Sequence, residues 1–210
     1  ENANLTTPAL TASSNGSLQS DGGTITLEAS IDTLARLVPS INGAAKLSAR
    51  ATGSNNLWQL DLDANGPGGA QVTAQGALAQ DLSTADLTAE GNAPLALVNG
   101  LTEAARVTGP ARFNLNLRGP LALSSLSGSI DITDARVSVA TPQLALENIG
   151  STIRIAEGAA TLSTTRRFAL GGSFSVEGRT GLSAPFDADL TAQFQNAQIR
   201  YERLLETILV

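Results

Sequence analysis

The chain has 210 residues, a formal net charge of −6, no cysteine and no histidine. These totals exclude disulfides, thiolate metal sites and histidine-based triads, and the acidic balance with scattered Lys and Arg excludes a basic nucleic-acid face. Hydrophobic residues make up 42% of the chain but aromatic ones only 3% and charged ones 15%, so apolar surface comes from Ala, Leu, Val and Ile, and the polar positions carry Ser, Thr, Asn, Gln and Gly, which suit strands and turns.

Alternation dominates from the start. "TITLEASI" sets Ile25, Leu27 and Ile31 on one face and Thr24, Thr26 and Glu28 on the other. "AKLSARAT" repeats the pattern with Leu47, "WQLDLDAN" with Trp58, Leu60 and Leu62, and "AQVTAQGAL" with Val72. "ADLTAEG" continues it, and "RFNLNLRG" adds Phe113, Leu115 and Leu117. Strict period-two patterning marks half-buried strands. Turns such as "NGPGG" at Asn65–Gly69 and "EGN" at Glu90–Asn92 are too short for parallel crossovers, so the strands form antiparallel meanders.

The stretch "LSGSIDITDARVSV" (Leu126–Val139) breaks parity. Ile130 and Ile132 are even, Val137 and Val139 odd, with Thr133-Asp134-Ala135 between. A β-bulge there, one extra residue that bends the strand, returns all four to one face. Alternation resumes with Leu144, Leu146, Ile153, Ile155 and Leu162, then Phe168, Leu170, Phe174 and Val176, and "PFDADLTAQFQ" aligns Phe186, Leu190 and Phe194. The windows together predict about fourteen strands.

Three stretches read as short helices. "DTLARLVP" has Asp32 as N-cap and stops at Pro39. "NAPLALVNG" has Asn92 as cap, Pro94 in the first turn and Gly100 as stop. "RYERLLETILV" ends the chain. The first two precede similar strands, "SINGAAKLSARATG" and "VTGPARFNLNLRG", which suggests diverged repeats over about 24–92 and 93–195, with a next one beginning at 196–210.

Enzymatic chemistry finds little footing, and the chain reads as a non-enzyme needing no cofactor or metal. Asp61 with Asp63, and Asp187 with Asp189, alternate with hydrophobes as a solvated strand face does. "DITDA" lacks the Gly and terminal Glu of an EF-hand loop, and "GPGG" lacks the Lys and the following helix of a phosphate loop. The sequons at Asn4–Thr6 and Asn15–Ser17 are of a kind that arises by chance in such a composition. No apolar run approaches the roughly 20 residues that span a bilayer, and no signal peptide opens the chain. Glu1 is not a natural start and "LLETILV" breaks off in mid-pattern, so the chain reads as a piece of a longer protein.

About fourteen strands cannot stay in one flat sheet. They split into a sandwich or curl into a trough. The scarcity of bulky side chains and of polar groups on the inward face favours an elongated apolar ligand such as an acyl chain; the pattern leaves the sandwich open.

The segment "LSGSIDITDARVSVATPQLALENIGSTIRIAEGAATLS" resembles the recurring unit of the TamB family, the inner-membrane-anchored subunit of the translocation and assembly module of Gram-negative bacteria. Leu126, Gly128, Asp134-Ala135, Pro142, Leu144, Leu146, Ile149 and Gly158 fill that unit's places in order. The likeness runs from about Gly109 to the end and is looser before it. It implies a long, curled, open antiparallel sheet with an apolar interior and a few short helices, sometimes called a β-taco, related to AsmA-like and bridge-type lipid transfer proteins. It further implies a periplasmic conduit carrying phospholipid acyl chains between inner and outer membranes, partnered through the full-length protein with an Omp85-class barrel (TamA), and a role in outer-membrane protein assembly. On this reading the inward residues named above line the lipid groove. A rival reading is a chaperone-like or structural module that pairs its strand edges with outer-membrane protein strands. A surface adhesin would show regular short repeats with Asn or Gly ladders, which are missing here.

Overall fold

A computed structural model describes residues 2–7, 10–19, 22–36, 39, 41–101, 105–139, 144–167 and 172–196. Phe168, Leu170, Pro142, Leu37, Val38 and the terminal stretch Arg200–Val210 lie outside them. The strands are β1 (Asn2–Thr6), β2 (Leu10–Gln19), β3 (Gly22–Ile31), β4 (Ala45–Ser54), β5 (Leu57–Asn65), β6 (Gln71–Ala79), β7 (Thr84–Pro94), β8 (Ala105–Thr108), β9 (Pro110–Pro120), β10 (Leu126–Val139), β11 (Leu144–Ala156), β12 (Ala159–Arg167), β13 (Ser173–Gly181) and β14 (Ala188–Gln195).

All fourteen strands form one antiparallel sheet in chain order, with β8 alone off the main path, paired to β10. Local chemistry sets this meander. Asn55-Asn56 and Glu157-Gly158 are two-residue loops in which both residues have positive φ, 49° and 62° in the first and 52° and 70° in the second. Paired left-handed residues give the turn whose twist matches the flanking strands.

The sheet stays open: the outer edges of β1 and β14 pair with no other described strand. It is also a single layer rather than a sandwich. A compact protein of 21.4 kDa exposes about 9,000 Å²; this chain exposes 14477 Å². Among the described residues no side chain falls below 2% exposure, as the core between two packed sheets would require.

Burial gathers toward two margins of the sheet, and because β10 and β11 run on past the first of them, Ala135 and Ile149 there lie inside their strands. Ile31, Ala70, Ala111, Ala135, Ile149 and Phe174 are buried along one margin, and Ala85, Ile155 and Ala159 along the other. The first margin carries the 3₁₀ turns at Leu34–Arg36, Pro67–Gly69 and Leu95–Leu101. There Ala135, Ile149 and Phe174 form a cluster against which Leu95, Ile132, Val137, Leu146 and Val176 pack.

Two helical expectations need correction. Asn92 and Pro94 are not the cap and first turn of a helix but the last residues of β7, and only Leu95–Leu101 is helical, as 3₁₀. Within the Asp32–Pro39 stretch the described helical turn is 3₁₀, at Leu34–Arg36, and Leu37 and Val38 lie outside the described residues. Antiparallel pairing of Asn92-Ala93-Pro94 with Pro110-Ala111-Arg112 overrides the local capping signal.

Candidate functional site

The site is a face rather than a pocket. Cross-strand pairing strings the inward residues into rows that cross the sheet. The central row reads Leu5, Ala12, Ala29, Leu47, Ala64, Val72, Gly91, Phe113, Ile130, Ile153, Leu162, Gly178 and Leu190, each directly opposite the next. No polar side chain interrupts it from edge to edge. The neighbouring row through Leu27, Ala49, Leu62, Ala74, Ala89, Leu115, Gly128, Ile155 and Ala160 is apolar from β3 to β12 and is bounded by Ser14 on β2 and Thr180 on β13. A third joins Ile25, Ala51, Leu60, Gly76, Leu87, Leu117 and Leu126. Twelve steps between thirteen strands at about 4.8 Å make a track of about 58 Å.

The expected inward residues distribute over this face. Leu47, Val72, Phe113, Ile130, Ile153, Leu162 and Leu190 lie in the central row, Leu27, Leu62, Leu115 and Ile155 in the second, and Ile25, Leu60 and Leu117 in the third. Trp58 sits one row out, over Gly53, where an added Cβ would meet its Cζ3 at 2.8 Å. Ile31, Ile132, Val137, Leu146, Phe174 and Val176 belong to the packed margin. Phe194 joins them through Phe174, the ring centroids 6.2 Å apart. The backbones of Val139 and Leu144 pair with each other. Phe186 does not continue the last strand: it lies in the β13–β14 connection at φ 59°, exposed, two residues before β14 begins. The antiparallel register with β13 starts at Ala188 opposite Thr180, so alternation before it has no partner strand.

The parity break at Thr133–Ala135 is a bulge. Ile132 pairs with Ala111 and Arg136 with Thr108, so four steps along β10 oppose three on the other strand. Asp134 takes φ 50°. Gly109 provides the space, since a Cβ there would stand 2.9 Å from Ala135 Cα. On the β11 side the register shifts once before and once after Ala135, and Asn148 there takes φ 56°.

Between β3 and β7 the inward face hollows into an apolar concavity of about 270 Å³, bounded by Ile25, Leu27, Ala49, Ala51, Leu60, Leu62, Ala74 and Leu87 together with Arg50 and Asp61. None of the surface lining it is polar. Two larger hollows, about 320 and 480 Å³, lie on the opposite face among Asp61, Asp63, Glu90, Glu28 and Lys46. A twisted sheet is saddle-shaped, so both faces are concave along different diagonals. The hollows on the polar face are floored by water-exposed side chains, and their carboxylates alternate with the inward hydrophobes. Among the described residues no group of three His, Cys, Asp or Glu could hold a metal ion, and no helix is long and apolar enough to cross a membrane.

One device has no signal in the sequence. Beyond Pro94 no strand among the described residues flanks β8 on the β7 side. Asn99 takes that place: its Oδ1 accepts from the Val107 N–H (2.7 Å) and its Nδ2 donates to the Val107 carbonyl (2.9 Å). One side-chain amide thus supplies both hydrogen bonds a neighbouring strand would give.

No family model matches the chain, and neither a curated protein nor a solved structure matches it.

Proposed function

We propose that the chain is a stretch of a lipid-conducting β-trough. Phospholipid acyl chains lie along the inward rows, and headgroups stay in water at the open side. The observation that carries this reading is the central row, which crosses every strand but β8 from Ala12 to Leu190 without a polar side chain. Each methylene moved from water onto it gains about 0.8 kcal/mol. Mid-strand side chains remain half-exposed, so the apolar area is available to a ligand instead of being spent on a core. With the resemblance to the TamB family, the reading extends to a periplasmic conduit between inner and outer membranes, coupled in the full-length protein to an Omp85-class barrel and serving outer-membrane biogenesis. The chemistry is transfer, not catalysis.

Leu115→Asp tests this reading. Leu115 is half-buried between Ala89 and Gly128 in the second row, away from the packed margin. A variant that keeps the wild-type circular dichroism should lose loading of a fluorescent phospholipid by about tenfold or more, the cost of a carboxylate in the alkyl track. Unchanged loading would refute the trough.

A second reading, strand pairing with outer-membrane protein clients, draws support from the open outer edge of β14. "ADLTAQFQ" carries neither Lys nor Pro, the residues that commonly guard an edge. On that reading edge substitutions abolish function and Leu115→Asp does not.

A further inference from the structure

We infer that the concavity between β3 and β7 is a discrete station for one alkyl chain, not merely one stretch of a uniform track. This rests on the trough reading and sharpens it. The two halves of the inward face differ. At the β10–β13 margin the chain's own side chains fill the apolar space, with Leu95 packed on Ala135, Ile149 and Phe174. Over β3–β7 no described side chain does so, and about 270 Å³ stays open above Ala49, Ala51 and Ala74.

The floor is low because its residues are small, and its walls are large. Gly76 lies directly between Leu60 and Leu87 in the third row. It takes φ 140°, a conformation that would aim a Cβ at the Asp86 carbonyl of β7, so only glycine fits there and no side chain fills the space above it. Leu60 and Leu87 stand on either side of this dip.

The occupant is a saturated alkyl chain. The lining offers no polar surface to orient a headgroup, sugar or peptide. An apolar cavity of about 150 Å³ already holds benzene, so this one has room for a longer alkyl segment. A station of this kind gives the conduit a resting position along its length.

Palmitic acid with a terminal diazirine is the probe, photolysed on the full chain and mapped by peptide mass spectrometry. Adducts should concentrate on β3–β7 over β10–β13. Ala74→Leu should cut the β3–β7 adducts by about tenfold or more, the loss of room for two to three methylenes. Ala51→Leu provides a second filling variant should Ala74→Leu misfold. Ser163→Leu, exposed on β12 and paired with Thr152 and Glu177 away from the inward rows, should leave the β3–β7 adducts unchanged. Adducts spread evenly over both halves and undiminished by the filling variants would overturn the station while leaving the trough intact. No adducts anywhere on the inward face would overturn both.

Discussion

Ile132 and Val137 are five positions apart on β10, yet both pack against the Ala135–Ile149–Phe174 cluster. Strand periodicity alone would send them to opposite faces. The residue between them that reconciles this is Asp134, left-handed at φ 50°. Asp134→Gly should therefore leave stability unchanged or raise it slightly, and Asp134→Val should cost about 1–2 kcal/mol, because a β-branched residue resists that conformation. Urea denaturation followed by circular dichroism checks both. Deleting Asp134 should be worse than either: alternation would still keep Val137 on the face of Ile132, but the bend is lost and the matching irregularity of β11 at Asn148 is left without its counterpart.

Stability should reside in the margins and function in the middle. Phe174 is 4% exposed and stacked on Phe194. Phe174→Ala should cost about 3–4 kcal/mol. Leu190 ends the central row at 68% exposure, and Leu190→Ala should cost well under about 1 kcal/mol. Equal costs in a denaturation series would contradict the burial pattern.

Asn99→Ala should free the Val107 N–H and carbonyl and cost about 1–3 kcal/mol, the penalty for losing satisfaction of part-buried backbone groups. Hydrogen exchange at the Val107 amide is the direct readout. It should accelerate in the variant while amides of β4 and β5 keep their rates.

The turn between β6 and β7 makes a pH prediction. The Asp81 carboxylate accepts from the Ser83 hydroxyl (2.6 Å) and the Ser83 N–H (3.0 Å), and these bonds hold its pKa below the usual 3.8. A depressed folded pKa means the contribution is present above the unfolded pKa and is lost as pH falls through the folded one. Ser83→Ala should move the Asp81 titration upward, read by carboxyl-carbon NMR. The surface pairs Arg118–Asp86 (3.2 Å) and Arg136–Glu147 (3.0 Å) are mostly exposed, and Asp86→Asn should change stability by less than about 1 kcal/mol.

Much of this architecture is legible in the sequence because a single-layer sheet is little more than alternation repeated. Most strand positions from β3 onward and the bulge at Thr133–Ala135 follow from parity, whereas β1 and β2, built largely of Asn, Ser and Thr, carry no such alternation. What parity cannot give is registration between strands. That Leu47 meets Ala64, and Phe113 meets Gly91, depends on loop geometry across tens of residues. The concavity over β3–β7 therefore emerges only in three dimensions, from Ala49 and Ala51 on β4 and Ala74 and Gly76 on β6 flanking Leu60 and Leu62 of β5. Asn99 is equally silent, since its role depends on β7 ending where β8 still needs a neighbour. Phe186 misleads for the converse reason: its alternation extends past the point where β13 offers a partner.

The central claim is that the inward face carries lipid, and mass spectrometry of the chain purified under mild conditions tests it most directly. The account predicts co-purifying phospholipid on the wild type and about tenfold less or lower on an equally folded Leu115→Asp variant. Wild-type protein free of lipid, or a variant loaded as fully as the wild type, would contradict it.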